Sequence, residues 1–231
     1  MSEFALQNDP LLLSANDQVI TSLIDGVYHK LKADFQAAYT ALPEKFMARS
    51  EITFHDHVRL VAHCCLATAD LEGALVEIGV WKGLSLALAE RFLQKQTTII
   101  GIDPCALNGQ LQELSYFQAA LFPTVHIIPD YSFRSISNLV KLVKNIKVLH
   151  IDGGHCEWDV WADFLLYERL IVPGGYIVFD DYNDHQSSPE VKVAVDGLAA
   201  AGYFSDYQLL GVIEPFTNDF VIRRKVKGSP S

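Results

Sequence analysis

Short apolar segments alternate with amphipathic ones through the middle of this 231-residue chain. The apolar segments begin near residues 74, 98, 125, 147 and 176, and each is followed by Gly, Asp or Pro. Segments this short are typical of strands buried on both faces, and the amphipathic stretches between them are typical of helices. The alternation therefore predicts βαβ units and a mostly parallel sheet covered by helices on both faces.

The end of the chain breaks this alternation. A predicted helix near 189–201 is followed by two strand-like segments, near 207–213 and 220–226. The link between those segments is too short for the crossover that a parallel return needs, so we expect an antiparallel hairpin. The predicted fold class is α/β, a three-layer sandwich with one antiparallel strand near the end of its sheet. An amphipathic helix near 17–41 precedes it.

Charge and hydropathy limit the classes of partner. The formal charge is −10, and no basic stripe offsets it, so we expect no nucleic-acid partner. No segment stays apolar over the roughly 18 residues that a membrane span needs, and the first residues lack the pattern of a secretion signal. These features favour a cytoplasmic protein without a membrane partner. The four cysteines show no C-x-x-C spacing and are expected to be free thiols.

Ligands of open α/β sheets bind beyond the carboxyl ends of the strands, so polar residues there are candidate site residues. The loop after the first predicted strand reads Glu77-x-Gly79-x-x-x-Gly83-x-Ser85. Its glycines allow a sharp turn into a helix whose free N–H groups attract a negative group. A dinucleotide loop needs a glycine where Trp81 stands, which argues against NAD. A plain strand-to-helix turn is an equally good interpretation of this loop.

Two further strand ends carry candidate cofactor ligands. Asp103 ends the second predicted strand, where a carboxylate can accept hydrogen bonds from ribose hydroxyls. An ordinary Asp-Pro turn is the alternative. Ser132 follows the third strand and is also suited to cap the next helix. His55 and His57 are looser candidates for a lid over a substrate pocket, with a solvated helix start as the alternative.

Three aspartates follow the last two parallel strands. Asp152 follows the fourth strand, and Asp180 and Asp181 follow the fifth. Two bare carboxylates about 4 Å apart repel by roughly 4 kcal/mol at an effective dielectric constant of about 20, so their convergence predicts a cation or raised pKa values. Mg²⁺ is the first choice for such oxygen ligands. His155 is then the candidate general base, although turn and cap roles remain alternatives for these residues.

Five segments together resemble class I S-adenosylmethionine-dependent methyltransferases, in the branch of the macrocin and demethyldecarbamoylnovobiocin O-methyltransferases and the cephalosporin-hydroxylase-like proteins. They are the Glu77 to Ser85 loop, Gly101-Ile102-Asp103-Pro104, Ile151-Asp152-Gly153-Gly154-His155, Pro173-Gly174-Gly175 and Phe179-Asp180-Asp181-Tyr182. The resemblance extends from about Leu75 to Val226. It implies a Rossmann-like sheet of seven strands with the last-numbered strand reversed, which agrees with the predicted hairpin.

The resemblance also implies roles for the candidate residues. The Gly79 loop with Glu77, Gly83 and Ser85 would bind the methionine part of S-adenosylmethionine, Asp103 the ribose, and Ser132 would lie near the adenine. Asp152, Asp180 and Asp181 would bind Mg²⁺ or another divalent cation, and Asp152 and His155 would be the catalytic residues. The expected domains are an N-terminal helical extension over 1–56, as a lid or a homo-oligomer contact, and an S-adenosylmethionine-binding catalytic domain over 57–231.

The implied reaction is metal-dependent methyl transfer to a hydroxyl of a small molecule, such as a sugar, a polyketide or a phenolic natural product. Two alternatives share the same sheet. One is a nicotinamide-dependent oxidoreductase, which would use Asp103 but leave the aspartate cluster unexplained. The other is a non-catalytic cofactor-binding protein of the same fold.

Overall fold

A computed structural model of the chain describes residues 8–43, 55, 58–93 and 97–226. Within them, one sheet contains the strands β1 (Ala74–Ile78), β2 (Ile99–Ile102), β3 (His126–Ile128), β4 (Ile146–Ile151), β5 (Ile171–Phe179), β6 (Tyr207–Ile213) and β7 (Phe216–Arg224). Their order is β3-β2-β1-β4-β5-β7-β6. Only β7 is reversed: it pairs antiparallel with β5 and with β6, whereas the other pairs are parallel. The predicted sheet is confirmed.

Helices cover both faces of this sheet. They are α1 (Pro10–Asn16), α2 (Gln18–Ala41), α3 (Val58–Ala67), α4 (Leu84–Phe92), α5 (Gln110–Leu121), α6 (Ser132–Leu142), α7 (Glu157–Tyr167) and α8 (Pro189–Ala200), with a short 3-10 turn at Glu168–Leu170. Helices α1 to α5 share one apolar core, and α6 to α8 share the other. Successive strand residues such as Ile177 and Val178 enter opposite cores, as the pleat requires. The structure is therefore the expected three-layer sandwich.

Some element boundaries differ from those predicted. Strand β5 begins at Ile171, earlier than the predicted start near residue 176, because Pro173-Gly174-Gly175 lies inside the strand beside a shift in the β4 register. Helix α1 was not predicted, although Asp9 caps it and Pro10 opens it. The hairpin link consists of Glu214 and Pro215 alone, so β7 starts earlier than expected. Within the described part of the chain, no helix combines the length and apolarity of a membrane span.

The described part of the N-terminal extension packs onto the sheet. Asp9 is buried, and its carboxylate accepts hydrogen bonds from the Tyr176 hydroxyl at 2.9 Å and from Arg223 Nη1 at 3.0 Å. Phe35 of α2 stacks on Phe117 and Phe122, with ring centroids 5.3 and 6.3 Å away. Residues 8–43 therefore share a core with the rest of the chain, and their action as a lid stays a prediction.

A buried histidine connects α1 with α3. His63 is fully buried, and its Nδ1 lies 2.9 Å from the Ser14 hydroxyl oxygen. Burial lowers the pKa of His63 to about 4, with smaller opposing effects of Asp25, which raises it, and Arg59, which lowers it. The unfolded chain binds a proton at this ring below about pH 6.5. Folding stability should therefore fall as the pH drops from about 6.5 towards 4, where only the unfolded state gains the proton.

We expect His63→Gln to remove this acid-sensitive component. Between pH 7 and pH 4 the wild-type protein should lose about 3 kcal/mol more unfolding free energy than the variant. Urea unfolding at the two pH values measures the difference. Ser14→Ala is the control, since it removes the hydroxyl partner but keeps the titrating ring and hence the pH dependence. Equal pH dependence in wild type and His63→Gln would contradict the assignment.

Candidate active site

The carboxyl ends of the parallel strands open into one cleft of about 710 Å³. Strand β1 lies between β2 and β4, where the strand order reverses, which is the usual ligand position in such sheets. The cleft is lined by predicted site residues Gly79, Asp103, Ser132, Asp152, His155, Asp180 and Asp181. A smaller adjoining pocket is lined by Glu77, Gly83 and Ser85. The structure thus brings all the predicted site residues to one region.

The loop after β1 depends on close backbone contact. Gly79 has a φ of +86°, and a Cβ on it would lie 1.7 Å from the backbone oxygen of Asp152, so no other residue fits there. Trp81 has a φ of 50°, a left-handed conformation that usually requires glycine. The backbone N–H groups of Val80 and Trp81 both donate to Asp103 Oδ2 at 2.9 Å. Asp103 therefore holds the loop in this strained shape.

Asp103 is also bonded on its other oxygen. Its Oδ1 accepts hydrogen bonds from the Cys105 N–H at 2.7 Å and from Gln110 Nε2 at 3.1 Å. An ionised carboxylate offers about four acceptor positions, so the chain's own donors already occupy Asp103. The structure adds a bracing role that the sequence analysis missed, and ribose binding by Asp103 stays a prediction.

A buried polar network lies beneath the cleft. The Ser85 hydroxyl donates to Glu77 Oε1 at 2.6 Å, and His150 Nδ1 lies 3.0 Å from Glu77 Oε2. Burial alone lowers the pKa of His150, but the hydrogen bond with Glu77 and the charges of Glu77, Asp180 and Asp181 outweigh it and raise the pKa. Ser85 thus uses its hydrogen within the network. His150 was not among the predicted site residues, although it faces Glu77 in the β1–β4 register and both interrupt apolar strands.

The predicted aspartates meet in two overlapping groups. One contains His150, Asp152 and Asp180, and the other contains Asp152, His155 and Asp181; within each group the candidate ligand atoms lie within 4.8 Å of one another. Asp180 and Asp181 belong to different groups; both lie in the turn after β5, where Asp181 has a left-handed φ of 59°. The three aspartates are therefore joined through Asp152.

Crowding at Asp152 affects its protonation. Burial and the neighbouring carboxylates of Asp180 and Glu77 raise the pKa of Asp152 well above its usual range. A divalent cation would relieve this repulsion, and the carboxylate-rich donor set suits a hard cation such as Mg²⁺. The residues present therefore fit the predicted metal.

A serine orients the predicted general base. His155 Nδ1 lies 2.9 Å from Ser188 Oγ, and the Ser188 hydroxyl donates to Asp181 Oδ2 at 2.8 Å. Because the single hydrogen of Ser188 is directed to Asp181, Ser188 can only accept at Nδ1, so Nδ1 carries the ring proton. The other ring nitrogen, Nε2, lies 3.5 Å from Asp181 Oδ2 and 3.9 Å from Asp152 Oδ1. No sequence pattern predicted a role for Ser188.

The far end of the cleft contains Ser132. It is the first residue of α6 and does not act as the cap, which is Tyr131. The Ser132 hydroxyl bonds instead to Asp163, whose pKa burial raises to about 7. Asp163 is a second cleft residue that the sequence analysis missed. Of the two looser candidates, His55 lines the cleft, and His57 lies outside the described residues.

Known proteins are similar to this chain in sequence and in fold. Residues 76–182 match a family described as a methyltransferase domain. The uncharacterised protein R132 of Acanthamoeba polyphaga mimivirus is 34% identical over 186 residues, which cover 76% of this chain and 84% of R132.

Two solved O-methyltransferases are similar in structure. NovP aligns with a TM-score of 0.60 at 18% identity, over 73% of this chain and 79% of NovP. TomG from Streptomyces achromogenes, which acts in tomaymycin synthesis and was solved with S-adenosylmethionine, aligns with a TM-score of 0.58 at 14% identity, over 98% of this chain and 99% of TomG. The fold of this chain is therefore that of these enzymes.

Proposed function

Because the chain belongs to the class I S-adenosylmethionine-dependent methyltransferases and has the fold of solved O-methyltransferases, we propose that it transfers a methyl group from S-adenosylmethionine to a hydroxyl of a small molecule. The observation that carries this proposal is one cleft that joins a glycine loop, an aspartate cluster and an oriented histidine. S-adenosylmethionine and Mg²⁺ are the proposed cofactors.

The cofactor half of the cleft would extend from the β1 loop to Ser132. When bound, S-adenosylmethionine supplies a methyl group activated by its sulfonium charge. Gly79 lines the cleft, and its close packing on the Asp152 backbone fixes the loop that would face the methionine part. At Asp103 the bond from the Gln110 side chain is the longest of the four, at 3.1 Å, and a ribose hydroxyl could replace it most readily. The polar pair of Ser132 and Asp163 would lie near the adenine.

The metal half of the cleft would be formed by Asp152, Asp180 and Asp181. Their carboxylates come from two neighbouring strand ends and converge through Asp152. A bound divalent cation would act as a Lewis acid on the acceptor hydroxyl and make it more acidic. The side chains of Asp152 and Asp181 would then position that hydroxyl beside His155.

His155 would remove the acceptor's proton at Nε2. Ser188 fixes the ring with the proton on Nδ1. Its hydroxyl also bonds to Asp181, so the proposed base and a proposed metal-binding carboxylate are held by the same side chain. General-base catalysis contributes about 10²–10⁴-fold to a rate. Alignment of the hydroxyl with the sulfonium methyl contributes a further share, since positioning is worth roughly 7–11 kcal/mol in favourable cases.

The charge of the cleft favours an acceptor without negative charge. Seven aspartates line it: Asp103, Asp152, Asp159, Asp163, Asp180, Asp181 and Asp184. No Lys or Arg occurs among the lining residues in the described ranges. A phosphorylated or carboxylated acceptor would meet repulsion without a basic partner. Neutral compounds with two adjacent hydroxyls, such as sugars, polyketides and catechol-like phenols, are the proposed acceptor class.

Binding and turnover test this function. Calorimetry should detect binding of S-adenosylhomocysteine and none of NADH. With S-adenosylmethionine and Mg²⁺, mass spectrometry of a panel of diols and catechols should reveal singly methylated products, with anionic analogues as matched poor acceptors. NADH binding would support the oxidoreductase alternative. Cofactor binding without transfer or metal dependence would support the non-catalytic alternative.

A further inference from the structure

The reversed strand β7 reaches the rim of the sheet beside the aspartate cluster. It runs opposite to β5, and the register of this pair ends with Phe179 opposite Phe220. Two further steps along each chain bring Asn218 of β7 opposite Asp181, since antiparallel partners advance in opposite directions along the sequence. Asn218 is not among the residues of the described ranges that line the cleft. It can therefore influence the cleft only through the residues that it contacts.

The side chain of Asn218 holds one oxygen of Asp181. Its Nδ2 donates to Asp181 Oδ1 at 2.8 Å, and the Ser188 hydroxyl donates to Asp181 Oδ2 at 2.8 Å. Each oxygen of an ionised carboxylate offers about two acceptor positions, so a position remains on each oxygen for a further ligand. The two donors together fix the orientation of the carboxylate without using all of its acceptor positions.

The backbone at Asp181 depends on its surroundings. Its φ of 59° is a left-handed conformation that costs a non-glycine residue free energy and persists where neighbouring contacts hold it. The loop that follows is also attached to β7. The Asn183 N–H donates to the Asn218 carbonyl oxygen at 3.2 Å, and Asn183 Nδ2 donates to the Thr217 carbonyl oxygen. The loop and the Asp181 carboxylate therefore have separate attachments to the same strand.

We propose that Asn218 is a positioning residue of the divalent-cation site, whose amide orients the Asp181 carboxylate for the cation that it shares with Asp152. This inference rests on the cation site of the proposed function. Asp181 forms a group with Asp152 and His155 in which the candidate ligand atoms lie within 4.8 Å of one another. Hydrogen bonds that orient metal ligands typically contribute 10–100-fold to metal affinity or activity. Strand β7 thus strengthens cation binding through a hydrogen bond to a ligand side chain.

Metal titration of the full chain tests the proposal without any methyl transfer. Asn218→Leu keeps the branched shape of the side chain but has no donor. It should weaken the binding of Mg²⁺ and Mn²⁺, measured by calorimetry and by the Mn²⁺ electron paramagnetic resonance signal, by about 10–100-fold.

Asn183→Leu is the matched control. It removes a side-chain hydrogen bond between the same loop and the same strand, but none of the bonds to the Asp181 carboxylate. We expect its affinity for both ions to change less than threefold. Equal losses in the two variants would mean that Asn218 acts only by attaching the loop, and that result would overturn the proposal, as would unchanged affinity in Asn218→Leu.

A second measurement does not depend on a variant that folds. In crystals of the wild-type protein grown with Mn²⁺, the anomalous signal should place the ion within about 2.6 Å of an Asp181 oxygen. Asn218 Nδ2 should remain within hydrogen-bonding distance of Asp181 Oδ1. An ion bound without Asp181, or a loss of this hydrogen bond in the loaded crystal, would overturn the proposal.

The proposed function fails in a different way. A wild-type protein that binds no divalent cation would overturn the cation site and this inference together. Cation binding that depends on Asn218, without methylation of any acceptor, would overturn the proposed methyl transfer alone.

Discussion

Asp152→Ala should lower kcat/KM for methyl transfer by at least about 10³-fold while leaving S-adenosylhomocysteine binding nearly unchanged. Asp152 is the only member common to both candidate ligand groups of the described residues, so its loss divides the proposed cation site. Lewis-acid stabilisation is worth several kcal/mol, and about 4 kcal/mol corresponds to this loss in rate. Steady-state kinetics and calorimetry measure the two effects, and EDTA should reproduce the loss in the wild-type protein.

The cofactor should still bind because the contact of Asp152 with the glycine loop is made by its backbone. The tight approach at Gly79 involves the Asp152 carbonyl oxygen, which the substitution keeps. Asp181→Ala should behave in the same way, and Asp159→Ala, which removes an exposed carboxylate of the cleft, should retain most of the activity. Full activity of Asp152→Ala in the presence of chelator would remove the metal from the mechanism.

His155→Ala should lower the turnover number by about 10²–10⁴-fold at neutral pH, the range that general-base catalysis contributes. The loss should shrink towards alkaline pH, where hydroxide can take the proton in place of the ring. Ser188→Ala should cause a smaller loss, since the ring remains but its tautomer is no longer fixed by the Ser188 hydroxyl. pH–rate profiles of the wild-type protein and both variants measure these effects.

The neighbouring His185 provides the matched control. It is exposed in the loop between β5 and α8, which also contains Ser188, and it is not among the residues that line the cleft. His185→Ala should therefore leave the pH–rate profile unchanged. A profile of His155→Ala that has the same shape and height as that of the wild-type protein would show that His155 is not the base.

The fold was largely predictable because its pattern is local. Each buried strand is a short apolar segment that ends at a turn residue, and the brevity of the last link forces an antiparallel return. The features of the fold that were not predicted depend on contacts between segments that are distant in the sequence or on elements too short to show a period. Pro173-Gly174-Gly175 has the composition of a break, yet pairing with β4 keeps it within β5. Helix α1 has too few residues to show a clear helical period.

The site residues that directly follow a strand could be predicted from the sequence. The site residues that depend on strand pairing or on the path of a loop could not. The strand-end rule identified Gly79, Asp103 and Asp152, which line one cleft. Ser188 reaches His155 across 33 residues of sequence, through a loop whose path no periodicity describes. His150 faces Glu77 only through the pairing of β1 with β4. Residues of this kind require knowledge of which strands are neighbours.

The buried contacts of Asp9 impose an order on biosynthesis. The partners of this carboxylate are separated from it by 167 and 214 positions of sequence. During translation the first helix emerges early, but its anchor on the sheet cannot form until Arg223 has left the ribosome. The segment that contains Asp9 must therefore wait for the synthesis of β7 before its buried contacts are complete.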